Sequence, residues 1–261
     1  MINKRRKLNL GEDALRVLRS YVRTLRALLV KESKQFDLVV GPGDSGAVMV
    51  KFTEYVYEAL GLPKPRIISL PVFRSSEEES LPEAQQIEDL SKSQIVNSIG
   101  GRSILFVDDE IGKGEAAKIT LAIIKELQEQ SRTLDCVTLA EDAGFTTAKR
   151  RKIEKSLATK IEFRPFSKHK DKLYNAIFWF IPPELEDSIQ HALKELNIEG
   201  DKYPMSILLN TPIKELDKGM PNFSYEVHKS VAKKVPDLDR LQKGFQDYVR
   251  ELVQEALKNG R

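Results

Sequence analysis

The sequence predicts an α/β fold, in which helices flank a central parallel β-sheet, followed by a helical C-terminal extension. Short apolar segments alternate along the chain with segments whose apolar residues recur every three or four positions. This alternation of strands and helices predicts a parallel sheet with covered faces. The 261 residues are enough for one sizeable core with an appendage. Beyond residue 183 we predict only helices, which form the extension.

The elements follow from local patterns. A helix is predicted over 13–31, because its apolar residues, from Leu15 to Leu29, recur at spacings of three and four. The elements that follow are a strand at 36–41, a helix at 47–61 closed by Gly61, strands at 66–73 and 102–109, a helix at 115–130, a strand at 134–141, a helix at 145–158 and a final strand at 161–166.

We divide the chain into an α/β domain over 1–182 and an extension over 183–261. Two helices are predicted in the extension, at 184–197 and 237–259, separated by a stretch that contains proline and asparagine. Residues 74–101, which we call the lid, are polar and acidic and exceed the usual length of a connection. Their length predicts a mobile lid, and a disordered surface loop is the alternative.

Composition limits the partners and the compartment. The 42 Lys and Arg nearly balance the 39 Asp and Glu, so any basic site must be local. The single cysteine, Cys136, and a start without an apolar signal region predict a cytoplasmic protein. The apolar segments are too short to span a bilayer, so we expect no membrane partner. The three histidines have no metal-ligand spacing, and we expect no direct side-chain cage for a metal.

Two motifs suggest other functions. The stretch "GDSG" at 43–46 is found around the nucleophilic serine of trypsin-like proteases, but here no histidine precedes Ser45 and no barrel strands surround it. The stretch "ILFVDDE" at 104–110 is similar to the first strand of response-regulator receiver domains. Here it follows two other strands, and the next strand does not end in an aspartate, so this reading is a weaker alternative.

Two segments that join a strand to a helix, "GPGDSGA" and "DDEIGKGEAA", are expected at the carboxyl ends of adjacent parallel strands. Open α/β sheets bind ligands at this edge. Gly112 and Gly114 let backbone N–H groups turn toward an anion, and the following helix adds its positive end. We therefore expect a phosphate there, with Asp108 and Asp109 accepting hydrogen bonds from a sugar diol.

Four apolar residues, two acids and a glycine-containing loop together resemble the signature of type I phosphoribosyltransferases. The stretch "VDDEIGKGEAA" is closest to the xanthine and adenine branch, and "GDSGA" resembles the pyrophosphate loop of that branch. "PVFRS" lies where relatives carry an arginine before the lid, which corresponds to Arg74. The resemblance covers roughly residues 36–145 and implies a phosphoribosyltransferase-like sheet.

The resemblance implies transfer of phosphoribosyl from Mg²⁺-bound phosphoribosyl pyrophosphate to a nitrogenous base, with pyrophosphate release. Asp108 and Asp109 would bind the ribose hydroxyls. The 5′-phosphate would lie against residues 110–116, which we call the phosphate loop. Its residues are Glu110, Ile111, Gly112, Lys113, Gly114, Glu115 and Ala116. Asp44, Ser45 and Gly46 would bind the pyrophosphate together with Arg74, so Ser45 is a binding residue and not a nucleophile.

Several residues depart from the family pattern. Lys113, Glu115 and Ala116 replace hydroxyl residues and a glycine, and Glu115 near a helix N-terminus would repel a phosphate. The lid is acidic where relatives carry a basic residue. These departures leave open a non-catalytic binder of phosphoribosyl pyrophosphate or nucleotide that regulates a nucleic acid or protein partner.

The remaining predicted sites lie outside the motifs. Phe178 and Trp179 are candidates for stacking on the base, although core packing is the alternative for each aromatic. The predicted first helix carries four arginines on one face, Arg16, Arg19, Arg23 and Arg26, which would suit a nucleic-acid backbone or simply meet water. We also expect a homo-oligomer, and for residues from Ile198 onward a hood, an oligomer contact and a partner site are all left open.

Overall fold

The computed structural model describes most of the chain and has the predicted α/β class. The described residues are 12–75, 81–92, 103–127, 133–168, 183–198 and 203–258. The strands are β1 Leu38–Pro42, β2 Arg66–Leu70, β3 Ser103–Ile111, β4 Leu134–Asp142, β5 Thr159–Lys168, β6 Ile213–Asp217 and β7 Met220–Ser224. The helices are α1 Glu12–Arg26, α2 Gly43–Leu60, α3 Glu83–Ser91, α4 Glu115–Leu127, α5 Thr147–Leu157, α6 Pro183–Glu195, α7 Tyr203–Leu209, α8 Glu226–Lys234 and α9 Leu238–Lys258.

The central sheet is fully parallel, with the strand order β2-β1-β3-β4-β5. β1 and β3 are neighbours, which confirms the expectation that their following segments lie at one edge. The five strands of the sheet match the predicted segments to within three residues. β2 ends at Leu70 and not at Phe73, because Pro71 has no N–H to continue the ladder.

The first helix departs slightly from its prediction. α1 ends at Arg26 and continues as a single π-helical turn, Ala27–Lys31, so the predicted limits of 13–31 hold for the two together. Leu18, Val22 and Leu25 are buried on the inner face, as the spacing predicts. Three of the four arginines on the other face are exposed and Arg26 is half-buried, so the predicted arginine face exists on α1.

Helix α2 begins earlier than predicted. Its first residue is Gly43 and not Ala47, so Asp44, Ser45 and Gly46 form a helical turn and not a loop. The strand passes directly into the helix because the backbones of Gly41 and Gly46 lie in close contact. A Cβ on either glycine would prevent this contact. Gly61 closes the helix in the left-handed conformation, as predicted.

The lid contains a helix that the sequence did not predict. α3 packs on α4, with Leu90 and Gln86 fully buried, so residues 83–91 are part of the fold. Residues 76–80 and 93–102 lie outside the described part of the chain.

The extension is more varied than the predicted pair of helices. Both helices are present, as α6 and α9, but the stretch between them also forms α7, α8 and the antiparallel β6–β7 hairpin. α9 packs against α1 and α2, and its Phe245, Val249 and Val253 belong to the same hydrophobic core as Tyr21 and Met49. One core therefore includes side chains from the sheet domain and from the extension.

Candidate functional site

An open pocket of about 620 Å³ lies at the carboxyl end of β3. Its walls come from the segment after β2, the phosphate loop, the start of α4 and the β4–α5 connection. They are formed by Arg74, Asp108, Glu110, Ile111, Gly112, Lys113, Gly114, Glu115, Ala116, Ala117 and Ala143. The structure thus brings Arg74, 34 residues before Asp108 in sequence, into one cavity with Asp108 and the phosphate loop.

Asp108 and Asp109 occupy an irregularity of the sheet. Val107 pairs with Leu139 and Glu110 with Glu141, so the two aspartates together oppose the single residue Ala140. Such a bulge bends the strand and redirects its side chains, and bulges are common beside active sites. Both aspartates are nearly buried, at 7% and 6% exposure. Asp108 lines the pocket, whereas Asp109 lies outside its lining.

The Asp108 carboxylate joins the two predicted motifs. Its Oδ1 accepts hydrogen bonds from the backbone N–H of Asp109 at 2.9 Å and from the Ser45 hydroxyl at 3.2 Å. The first turn of α2 therefore reaches the pocket through Asp108. With its hydroxyl donated to a carboxylate, Ser45 has the arrangement of a positioning group and not of a protease nucleophile.

The phosphate loop is held from the side of α5. Gly114 has φ of +79° and lies against Phe145, and a Cβ at Gly114 would come within 2.6 Å of that ring. The Lys149 ammonium donates to the carbonyl oxygens of Gly112 at 3.1 Å and Gly144 at 2.8 Å. The backbone N–H of Ala143 donates to Ile111 O at 3.0 Å. These contacts hold the phosphate loop against α5 and the β4–α5 connection.

Glu115 lies at the start of α4, where a carboxylate suits the helix dipole. It binds Ser75, whose backbone N–H and hydroxyl donate to the two Glu115 oxygens at 2.8 and 2.9 Å. The carboxylate also lines the pocket, so its charge faces any phosphate in the loop. Glu115 therefore lies at the helix end, as expected, and its repulsion of a phosphate stays a prediction.

Arg74 is positioned by its neighbours on both sides. The Gln86 side chain, fully buried in α3, accepts from Phe73 N at 2.8 Å and donates to Phe73 O at 2.9 Å. On the other side, Ser75 is held by Glu115. The lid helix and the start of α4 together hold the backbone that presents Arg74 to the pocket.

Asp44 and Gly46 lie outside the lining of the pocket and have structural contacts. Asp44 Oδ1 accepts from the backbone N–H of Lys214, in β6, at 2.6 Å. Gly46 is buried against the backbone of Gly41. The Lys214 ammonium lies 3.4 Å from Val72 O and 4.6 Å from the centre of the Phe73 ring. The hairpin of the extension thus contacts the first turn of α2 and the segment before Arg74.

Three residues of the site were not predicted: Gln86, Lys149 and Lys214. A glutamine within the acidic lid and a lysine in a basic helix carry no local signal of their partners. Lys214 lies 170 residues from Asp44, so no local pattern relates them. The only indication in the sequence was that Lys149 lies near the start of a predicted helix, next to a glycine-containing loop. Many surface lysines share this placement.

Several other residues considered above lie outside the pocket or outside the described part of the chain. Phe178 and Trp179, the candidates for base stacking, lie outside the described residues. Arg16, Arg19, Arg23 and Arg26 are on α1 and are not among the residues that line this pocket. Cys136 is buried in β4, where burial raises the pKa of its thiol to about 12, so it is not a nucleophile at neutral pH.

The described ranges contain neither a cluster of metal ligands nor a membrane-spanning helix. Within them no three His, Cys, Asp or Glu side chains are grouped as ligands for a metal ion. No helix in the same ranges is long and apolar enough to cross a membrane. Comparison of the chain with protein-family models and with curated proteins finds no match.

Proposed function

We propose that this protein binds Mg²⁺-phosphoribosyl pyrophosphate and transfers its phosphoribosyl group to a nitrogenous base, with release of pyrophosphate. The observation that carries the proposal is the single pocket in which Arg74, Asp108 and the phosphate loop meet. A ribose that carries a 5′-phosphate and a pyrophosphate is suited by three groups. These are a carboxylate for its hydroxyls, a glycine turn at a helix start for the 5′-phosphate and a guanidinium for the pyrophosphate. As part of the same proposal, we infer that the protein is related to the type I phosphoribosyltransferases and that it is located in the cytoplasm.

In this proposal the roles follow the geometry. Asp108 accepts hydrogen bonds from the ribose hydroxyls, with Asp109 supporting it from the same bulge. The phosphate loop holds the 5′-phosphate, and Arg74 neutralises the departing pyrophosphate. Cleavage of the bond between ribose C1 and the pyrophosphate oxygen leaves positive charge on the ribose ring, which a nearby carboxylate stabilises. The pyrophosphate departs with the bonding electrons, and a nitrogen of the base forms the new bond to C1. The Asp44–Gly46 turn contributes by placing the Ser45 hydroxyl on Asp108.

The residues of the pocket fit a magnesium ion that arrives with the substrate. Mg²⁺ is commonly held by one or two carboxylates together with substrate phosphates and water. Asp108 and Glu110 supply carboxylates at the pocket wall, and the described residues do not form a cage of three acidic or histidine ligands. When bound, the ion would neutralise charge on the leaving pyrophosphate.

The enzymatic proposal is tested by pyrophosphate release. The protein is incubated with Mg²⁺, phosphoribosyl pyrophosphate and each member of a nucleobase panel, and we expect release that depends on one class of base. An Arg74→Gln variant should reduce the rate about 100-fold, because the leaving group loses a charged partner. Binding of phosphoribosyl pyrophosphate without release on any base would reject the enzyme but not the binding site.

One observation favours a second function, a non-catalytic sensor. Glu115 places a negative charge at the helix start where a phosphate would bind. This charge would weaken binding of the phosphate, which is unfavourable for rapid catalysis. A sensor would bind nucleic acid differently with and without phosphoribosyl pyrophosphate. Ligand-dependent binding lost in Arg19→Glu, Arg23→Glu would support it, whereas equal binding in that variant would remove α1 as the contact surface.

Replacing Glu115 by Gln should tighten binding of phosphoribosyl pyrophosphate by about three- to tenfold, because repulsion of the 5′-phosphate is removed. The amide can still accept from Ser75 N and bind its hydroxyl, so the support of Arg74 is kept. Calorimetric titration measures the change. Glu126→Gln, an exposed site at the far end of α4, is the matched control. Weaker binding in Glu115→Gln would show that the charge is needed to order Ser75.

A further inference from the structure

A second cavity, of about 320 Å³, lies on the other side of the phosphate loop, between α4 and α5. It shares Lys113, Gly114 and Glu115 with the first pocket, so the loop forms a common wall between the two. We call this cavity the lysine groove. Its lining consists of Lys113, Gly114, Glu115, Lys118, Lys149, Lys152, Ile153 and Ser156.

The lysine groove is strongly basic in a chain whose total charge is nearly balanced. Four lysines face a single acid, Glu115, and that carboxylate is bound to Ser75. Lys118 is paired with Glu83. Among the residues that the structure describes, Lys113 and Lys152 are exposed and have no ion-pair partner. Lys113 and Lys152 therefore give the groove positive charge that no ion pair within the described ranges offsets.

The shape of the groove comes from α5. Lys149, Lys152 and Ser156 are three and four residues apart and share one face of the helix. Ile153 is buried between that face and the sheet and forms an apolar floor. Arg151 and Lys155 are exposed but do not line the groove. The helix thus has a basic face in the groove and basic residues outside it, which provides an internal control.

We propose that the lysine groove binds a chain of two or more directly linked phosphoryl groups, as in an inorganic polyphosphate. A single phosphate would leave most of a 320 Å³ groove empty, and several separated ammonium groups suit several linked anions. This site goes beyond the proposed function, because it uses neither Asp108 nor Arg74.

The experiment titrates the full protein with inorganic tripolyphosphate and, separately, with a short 5′-phosphorylated oligonucleotide. We expect tripolyphosphate binding that weakens about tenfold in Lys152→Glu. The same charge reversal at the neighbouring Arg151 should change it about twofold or less at physiological salt. Tighter binding of tripolyphosphate than of the oligonucleotide would support a linked phosphate chain as the ligand, and tighter binding of the oligonucleotide would overturn it.

The outcomes separate this site from the first pocket. The loss in Lys152→Glu should also appear when Asp108 and Asp109 are both replaced by Asn, since those acids do not line the groove. Equal losses in Lys152→Glu and Arg151→Glu would show diffuse attraction to α5 and overturn the groove. Absence of binding by either probe to the unchanged protein would overturn it as well, whatever the result with phosphoribosyl pyrophosphate.

Discussion

The double variant Asp108→Asn, Asp109→Asn is expected to fold normally and to lose Mg²⁺-phosphoribosyl pyrophosphate binding by about 100-fold or more. Each charged hydrogen bond to a ribose hydroxyl contributes about 1.5–3 kcal/mol, and two such bonds correspond to at least two factors of ten. An asparagine Oδ1 can still accept from Ser45 Oγ and from the backbone N–H of residue 109, so the local structure is kept. Calorimetric titration of both proteins measures the effect.

Thermal unfolding of the same variant provides the control. Replacing two nearly buried carboxylates by amides removes charges that are costly to desolvate, so we expect little loss of stability. If the variant is stable and binds as tightly as the unchanged protein, the aspartates are not sugar ligands. If neither protein binds, the proposed function fails, and the lysine groove remains to be judged by its own titration.

The largest effect on stability is expected for Gly46→Ala, which should lower the free energy of unfolding by about 3 kcal/mol. A Cβ at residue 46 would lie 2.4 Å from the Gly41 carbonyl carbon and 2.5 Å from Pro42 Cδ. Both neighbours are buried backbone or ring atoms and cannot rotate away. A glycine-to-alanine change inside a helix usually gains up to about 1 kcal/mol, so the clash outweighs the gain in propensity. Denaturant unfolding measures the difference.

Gly244→Ala is the matched control, since Gly244 lies inside α9 and a Cβ there meets no atom within 4 Å. This variant should gain about 0.5–1 kcal/mol. Equal effects of the two substitutions would show that the contact between Gly41 and Gly46 does not limit the fold. A destabilised Gly46→Ala that also binds phosphoribosyl pyrophosphate poorly would show that this turn supports the pocket.

Local sequence patterns were sufficient for most of the central sheet. Buried parallel strands are short continuous apolar runs, and the helices between them repeat every three or four residues, so both can be read without tertiary information. The β6–β7 hairpin was missed because its strands are largely polar and only half-buried. The local indication of the hairpin is the Lys218-Gly219 pair at its turn. Both residues have positive φ in the structure.

The start of α2 shows how tertiary contact overrides a local reading. Three glycines, a proline and an aspartate normally indicate a loop, and we predicted one. Here the same glycines allow the helix to begin against its own strand, and Asp44 in the first turn is held by β6. The lid helix α3 was hidden in the same way, since Gln86 is polar in sequence but fully buried on Phe73.

The sequence by itself determined the parallel sheet, the acid pair near the end of β3 and the glycine loop that follows, because local residue patterns record them. Only the tertiary structure decided that Ser45 bonds Asp108, that Glu115 and Gln86 hold the segment of Arg74, and that Lys214 reaches Asp44. These pairs are separated by 13 to 170 residues. These contacts arise when whole helices and strands pack together. Local periodicity and helix caps do not show which distant side chain will lie opposite a given residue.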